Sequence, residues 1–205
     1  MKKYTINTIT NIILTLLTGV LIMLVVFLSI HFYNFDKRQS KEQLLQYFCY
    51  TESTYEVKGT LTQQFIVETI QALRLIPGYL LQDFYSNGWS ICISSTNNNY
   101  LGLTSVKDKT IYIFYKECFI SLVQDTVAHE FGHYVDYSYN FISTTSKFTD
   151  LYNAHQYKDN IRNDEYCYTN NYELFATLYR DYLLHKDNLQ HYSNSYDFMN
   201  ELLNQ

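Results

Sequence analysis

The chain is poor in the residues that break or loosen a polypeptide. It has one proline, Pro77, and six glycines. No Pro-rich or Gly-rich linker runs through it, and no repeat or charge block interrupts it. At 205 residues this describes one domain rather than two. Cysteine is also thin. Cys49, Cys92, Cys118 and Cys167 never form a C-x-x-C pair, which excludes a zinc knuckle and a thioredoxin-type redox site. An even count permits two disulfides or buried thiols, and both readings stand. No cysteine is marked out as a nucleophile. Positive charge is scarce as well. From Lys41 onward there are 11 Lys+Arg against 19 Asp+Glu, a net charge of −8. That sign argues against nucleic acid as a partner and against docking of this region on anionic lipid.

One stretch lacks charge altogether. Between Lys3 and Asp36 no ionisable acid or base occurs apart from tyrosine and histidine, and residues 12–33 read IILTLLTGVLIMLVVFLSIHFY. About 20 apolar residues in a helix cross a bilayer core, so this segment is long enough to span. It exceeds the roughly 7–15 residues of a signal-peptide core, and no A-x-A-like cleavage site follows it. The expectation is a short basic tail over 1–11, a single transmembrane signal anchor over 12–33, a polar stalk over 34–45 and a domain over 46–205. Removal as a signal peptide, leaving a secreted domain, is the alternative. Lysines and arginine flank both ends, so charge alone does not orient the span. A short basic N-terminal tail favours the cytoplasm, which places the domain outside the cell. Nothing in the sequence sets an oligomeric state.

The pattern of the remaining chain changes once. Leu61 to Leu75 carries Phe65, Ile66, Ile70, Leu73 and Leu75 at helical intervals, and Pro77-Gly78 ends that run. A short helix is predicted over Leu80 to Tyr85 and a turn at Asn87-Gly88. Residues 89–94 (WSICIS) alternate as a strand. Tyr100 to Val106 and Thr110 to Tyr115 predict two more strands, turning at Lys107-Asp108-Lys109. From about Phe119 the period becomes helical again, with Ile120, Val123, Val127 and Phe131 on one stripe. Residues 138–165 read as polar and irregular. Tyr172 to Leu184 returns to helix. The fold class is therefore α+β, with a small mixed α/β part followed by a mainly helical part.

The second helical stripe carries chemistry. His129-Glu130-Phe131-Gly132-His133 places two imidazoles four residues apart, about 6 Å along a helix axis and on one face. Both can reach one metal ion at about 2.0–2.1 Å. Glu130 follows the first histidine and sits beside the metal, where a carboxylate can take a proton from a zinc-bound water and return it to a leaving amine. Gly132 removes a side chain near this face and permits close approach of another element. With this content of His and Glu, an HExxH arises by chance in roughly one chain in a hundred. Its place on an apolar-striped helix after a strand makes Zn2+ the expected cofactor.

Catalytic zinc needs a third protein ligand. A metzincin would have glycine at 136 and histidine at 139; Asp136 and Tyr139 stand there. The remaining histidines downstream are His155, His185 and His191. The better candidates are carboxylates: Glu173, which opens the helix over 172–184, ahead of Glu165, which precedes it. A structural role for Glu173, as an acid near a helix N-terminus, is the competing reading.

Residues 129–136 (HEFGHYVD) resemble the active-site helix of the anthrax lethal factor-like metallopeptidases, which include the Pro-Pro endopeptidases. Glu173-Leu174-Phe175-Ala176 is similar to the segment in which those gluzincins place their third ligand, and residues 76–93 resemble the start of that domain. The likeness spans about residues 60–185. It implies a gluzincin-type zinc endopeptidase with His129, His133 and Glu173 as ligands, Glu130 as general base and Tyr166, seven residues before Glu173, as oxyanion stabiliser. It also implies an extended peptide or protein substrate laid along an edge strand, here Tyr100 to Val106, with cleavage near proline. The acidic domain itself suggests basic peptides. Thr177 departs from the family, which often has an acid at that place. A catalytically silent surface-binding or contact-toxin module that keeps the fold is the competing function.

Overall fold

A computed structural model describes residues 48–50, 60–94, 100–115, 119–154 and 165–204. The chain divides into Met1–Ser40 and Lys41–Gln205. The expected tail, membrane span and stalk lie outside the described residues, as does His155. Among the described residues no helix is long and apolar enough to cross a membrane.

Helix α1 (Thr60–Leu73) forms where the three-four spacing predicts it, burying Phe65, Ile66, Ile70 and Leu73. Pro77 has no N–H to continue a helix and instead begins the next one. Helix α2 (Gly78–Ser86) buries Leu80, Leu81 and Phe84. The chain leaves it through Gly88 at φ 77, a left-handed conformation suited to glycine.

Strands β1 (Phe48–Tyr50), β2 (Ser90–Ser94), β3 (Gly102–Ser105) and β4 (Thr110–Phe114) form one sheet in the order β1-β2-β4-β3. β2 runs parallel to β1 and β4, and β3 is antiparallel to β4. Ile91, Cys92, Ile93 and Ser94 are all buried, as befits a central strand covered on both faces. The β3–β4 connection turns through Lys109 at φ 49. Among the described strands this leaves β3 at one edge of the sheet, the place expected for Tyr100 to Val106.

The second half is helical. A single 3₁₀ turn (Ile120–Leu122) leads into α3 (Val123–Ser138). Its stripe of Val123, Val127, Phe131 and Val135 is fully buried. This helix is the hub of the domain: it packs on α1, β3, β4 and the later helix α5 (Asn171–Leu184). Phe131 and Tyr134 join Phe84 and Trp89 in a ring cluster with centroids 4.8 to 5.7 Å apart. Each such buried ring contributes roughly 1.5–3 kcal/mol.

The stretch read as irregular contains helix α4 (Ser146–Asn153), whose N-cap Thr145 accepts from Phe148 N–H. The helix turns Phe148 into the core with Leu151 and Tyr152 partly buried beside it, and Phe148 packs against Phe175 and Phe198 at 5.5 and 5.3 Å. Beyond α5 the chain adds a short α6 (Lys186–Leu189) and α7 (Ser193–Leu203). α7 closes the core with Phe198, Met199, Leu202 and Leu203. The architecture is α+β, mostly helical, with one small sheet.

Candidate metal centre and its cleft

Two helices bring the site together. On α3, the His129 and His133 rings lie 5.0 Å apart, centroid to centroid, on the same face. α5 delivers Glu173 to them because the two helices touch at Gly132. A Cβ there would stand 2.8 Å from Ala176 Cα and 3.0 Å from its carbonyl oxygen, closer than real Cβ atoms come. Gly132 and Ala176 thus set the separation at which Glu173 meets the histidines.

The start of α5 is fixed twice more. Asn170 caps it, its Oδ1 accepting from Glu173 N–H at 3.0 Å, which places Glu173 in the first turn. Asn171 Nδ2 donates to Ser143 O at 3.0 Å. Ser143 in turn donates through N–H and Oγ to the buried Asp136 carboxylate at 2.8 and 2.7 Å. Asp136, one turn beyond His133, therefore ties the end of the histidine helix to the start of the glutamate helix.

Glu173 Oε2 lies 3.1 Å from His129 Nε2 and 3.4 Å from His133 Nε2. Donor atoms of the three residues all fall within 4.8 Å of one another. Ligands about 2.0–2.1 Å from a tetrahedral zinc stand about 3.3 Å apart, a spacing the two Glu173–histidine distances match. Burial pushes the Glu173 carboxyl up, but the hydrogen bonds with His129 and His133 outweigh it and hold the group well below the usual carboxylate range. For His133, burial works downward. The bond to Glu173 and the charges of Glu130, Glu173 and Asp136 prevail and raise its proton affinity.

A cleft of about 410 Å³ opens beside the cluster, with Gly102, Asp125, His129, Glu130, Tyr166 and Arg180 in its walls. Glu130 is buried at 7% exposure. Thr104 Oγ1 on β3 lies 2.8 Å from Glu130 Oε2. Tyr166, in the turn Glu165–Tyr168, is half exposed and donates its O–H to Glu173 Oε1 at 3.2 Å. Burial, then the Glu173 charge, push its phenol above the ordinary value, so it keeps its proton.

The fold is shared with a known peptidase. A solved Pro-Pro endopeptidase structure, PPEP-2 from Paenibacillus alvei, matches with a TM-score of 0.60 at 18% sequence identity, covering 78% of this chain and 98% of that one. The likeness is one of fold. No protein-family model matches the chain, and no curated protein matches it.

The residues singled out in the sequence thus meet at one place: His129, His133 and Glu173 in a donor cluster, Glu130 and Tyr166 on the adjoining cleft. Glu165 occupies the turn before α5, its side chain outside the described set. His185 pairs instead with Asp125 at 3.0 Å, and His191 is exposed. Thr177 is buried, and its hydroxyl has no hydrogen-bond partner among the described residues, so it orients neither histidine. Pattern reading did not find Gly102 and Thr104, because single residues on a strand show only alternation. Asn170 was findable as a cap-type residue three before Glu173. Arg180, seven residues after Glu173, follows from the helical repeat of α5.

Proposed function

We propose that the protein is a zinc-dependent endopeptidase acting on extended peptides. The observation that carries this reading is the convergence of His129, His133 and Glu173 at metal-ligand spacing beside a cleft walled by Glu130 and Tyr166. Zinc held there would polarise the scissile carbonyl and lower the pKa of a bound water toward 7. Glu130 is the general base: it takes a proton from the attacking water and passes it to the leaving amine. Tyr166 exchanges its bond to Glu173 for one to the developing oxyanion, donating a proton that its surroundings keep in place. β3, at the sheet edge and on the cleft wall, supports a peptide laid beside it as an added strand. The fold neighbour makes Pro-Pro sequences the first substrates to try. We also propose that residues 12–33 anchor the chain in a membrane, on the length of their apolar run, with the domain outside, on the short basic tail that precedes them.

Incubating the purified chain with a peptide library that includes Pro-Pro sequences tests the activity. Cuts should appear, vanish with a chelator and return with zinc. Cleavage indifferent to the chelator would overturn the metal chemistry. A zinc-bound chain that cuts nothing would favour the silent binding module instead.

A further inference from the structure

Gly102 and Thr104 stand two apart on β3 and so share a face of the strand. That face meets Glu130. A Cβ on Gly102 would come within 2.7 Å of Glu130 Cγ, 2.8 Å of its Oε1 and 2.9 Å of Thr126 Cγ2. Only a residue without a Cβ lets β3 press this closely on α3. Thr104 uses the closeness. Its Oγ1 lies 2.8 Å from Glu130 Oε2 and 2.8 Å from the Glu130 carbonyl oxygen. A threonine hydroxyl has one proton to give. The carbonyl is already engaged by the helix ladder and the carboxylate carries the charge, so the stronger donation goes to Oε2.

The strand register adds a second relation. Phe114 N–H donates to Leu101 O at 2.9 Å, and Gly102, Leu103 and Thr104 face Ile113, Tyr112 and Ile111. Antiparallel pairs alternate, so Leu101 and Leu103 exchange bonds with β4 while the N–H and C=O of Gly102 and Thr104 point to the outer edge. β3 is the outermost described strand on that side. The two residues whose faces touch Glu130 are therefore the two whose backbone an added peptide strand would meet.

Resting on the peptidase reading above, we infer that Thr104 is a positioning residue for Glu130. Its hydroxyl fixes the carboxylate's rotamer, on a strand that Gly102 allows against α3. Because the Thr104 side chain faces α3 and its backbone faces the edge, losing the hydroxyl acts on turnover and leaves peptide docking alone.

Two variants of the full-length chain separate hydroxyl from shape. Thr104→Val keeps the branched, strand-compatible side chain, and Thr104→Ser keeps the hydroxyl. Thr104→Val should lower kcat by about ten- to a hundredfold with KM within about twofold, the scale expected of a misplaced catalytic group. Zinc content and melting temperature should match wild type. Thr104→Ser should recover most of kcat. Crystal structures of the wild-type and Thr104→Val chains give a readout besides activity: the Glu130 carboxylate should leave its wild-type position in the valine variant. An unmoved carboxylate, an unchanged kcat, or a serine variant as slow as valine would each overturn the assignment. If the wild-type chain cuts no peptide, the peptidase reading fails by itself, and the position of Glu130 in the two structures still decides the role of Thr104.

Discussion

Glu173 and His133 each reverse what burial alone would do to the other. If zinc binds at His133, it must displace a proton from an imidazole that holds it above the ordinary range. Protons therefore compete with the metal up to and beyond the usual histidine pKa of about 6.5. Zinc affinity should rise between pH 6 and 8, by up to about tenfold per pH unit while one proton is displaced. Competition against a coloured chelator measures this directly, and an affinity flat across that range would mean that other groups bind the metal. Thr177 takes no part in that balance through a hydrogen bond to either histidine.

At the scale of elements, the site depends on one helix crossing. Gly132 lies against Ala176 with no space for another carbon. Gly132→Ala should push α3 and α5 apart, costing about 1–3 kcal/mol and weakening zinc binding, since Glu173 rides on α5. Thermal melts of the metal-free chain and zinc titration check both parts, and an alanine variant as stable and as tight-binding as wild type would refute the crossing's role. This crossing was half legible. Gly132 announced a close approach, but nothing in the sequence said that Ala176 would fill it. The elements with strong stripes were readable: Phe65 to Leu73 for α1, Val123 to Phe131 for α3, alternation for β2 to β4. β1 has three residues, too few for any period. α4 has a short stripe, with Phe148 buried and Leu151 and Tyr152 partly buried against the core, but its 8 residues give little period to read among polar neighbours, and α7 packs on that same phenylalanine. Glu130, His129 and His133 stood out because their chemistry depends on local spacing. Thr104 did not, because its contact arises only when β3 and α3 meet, a tertiary event that a threonine in a strand does not signal.

For the whole molecule, two statements need separate support: where the chain resides and what it does. The first rests on residues 12–33 alone. Full-length chain should stay with membranes through alkaline carbonate extraction and leave them when 12–33 are deleted; release of the intact, uncleaved chain would refute the anchor. The second rests on the meeting of α3, α5 and β3 at one cleft, in a fold shared with a Pro-Pro endopeptidase at 18% identity. At that identity fold and chemistry can part company, so the activity has to be tested at Glu130 itself. The most direct measurement compares wild type and Glu130→Gln for zinc content and for peptide cleavage rate in the same preparations. Both should bind about one zinc per chain, and the glutamine variant should cut about a hundred- to ten-thousandfold more slowly. Equal cleavage by the two zinc-loaded proteins would contradict the account.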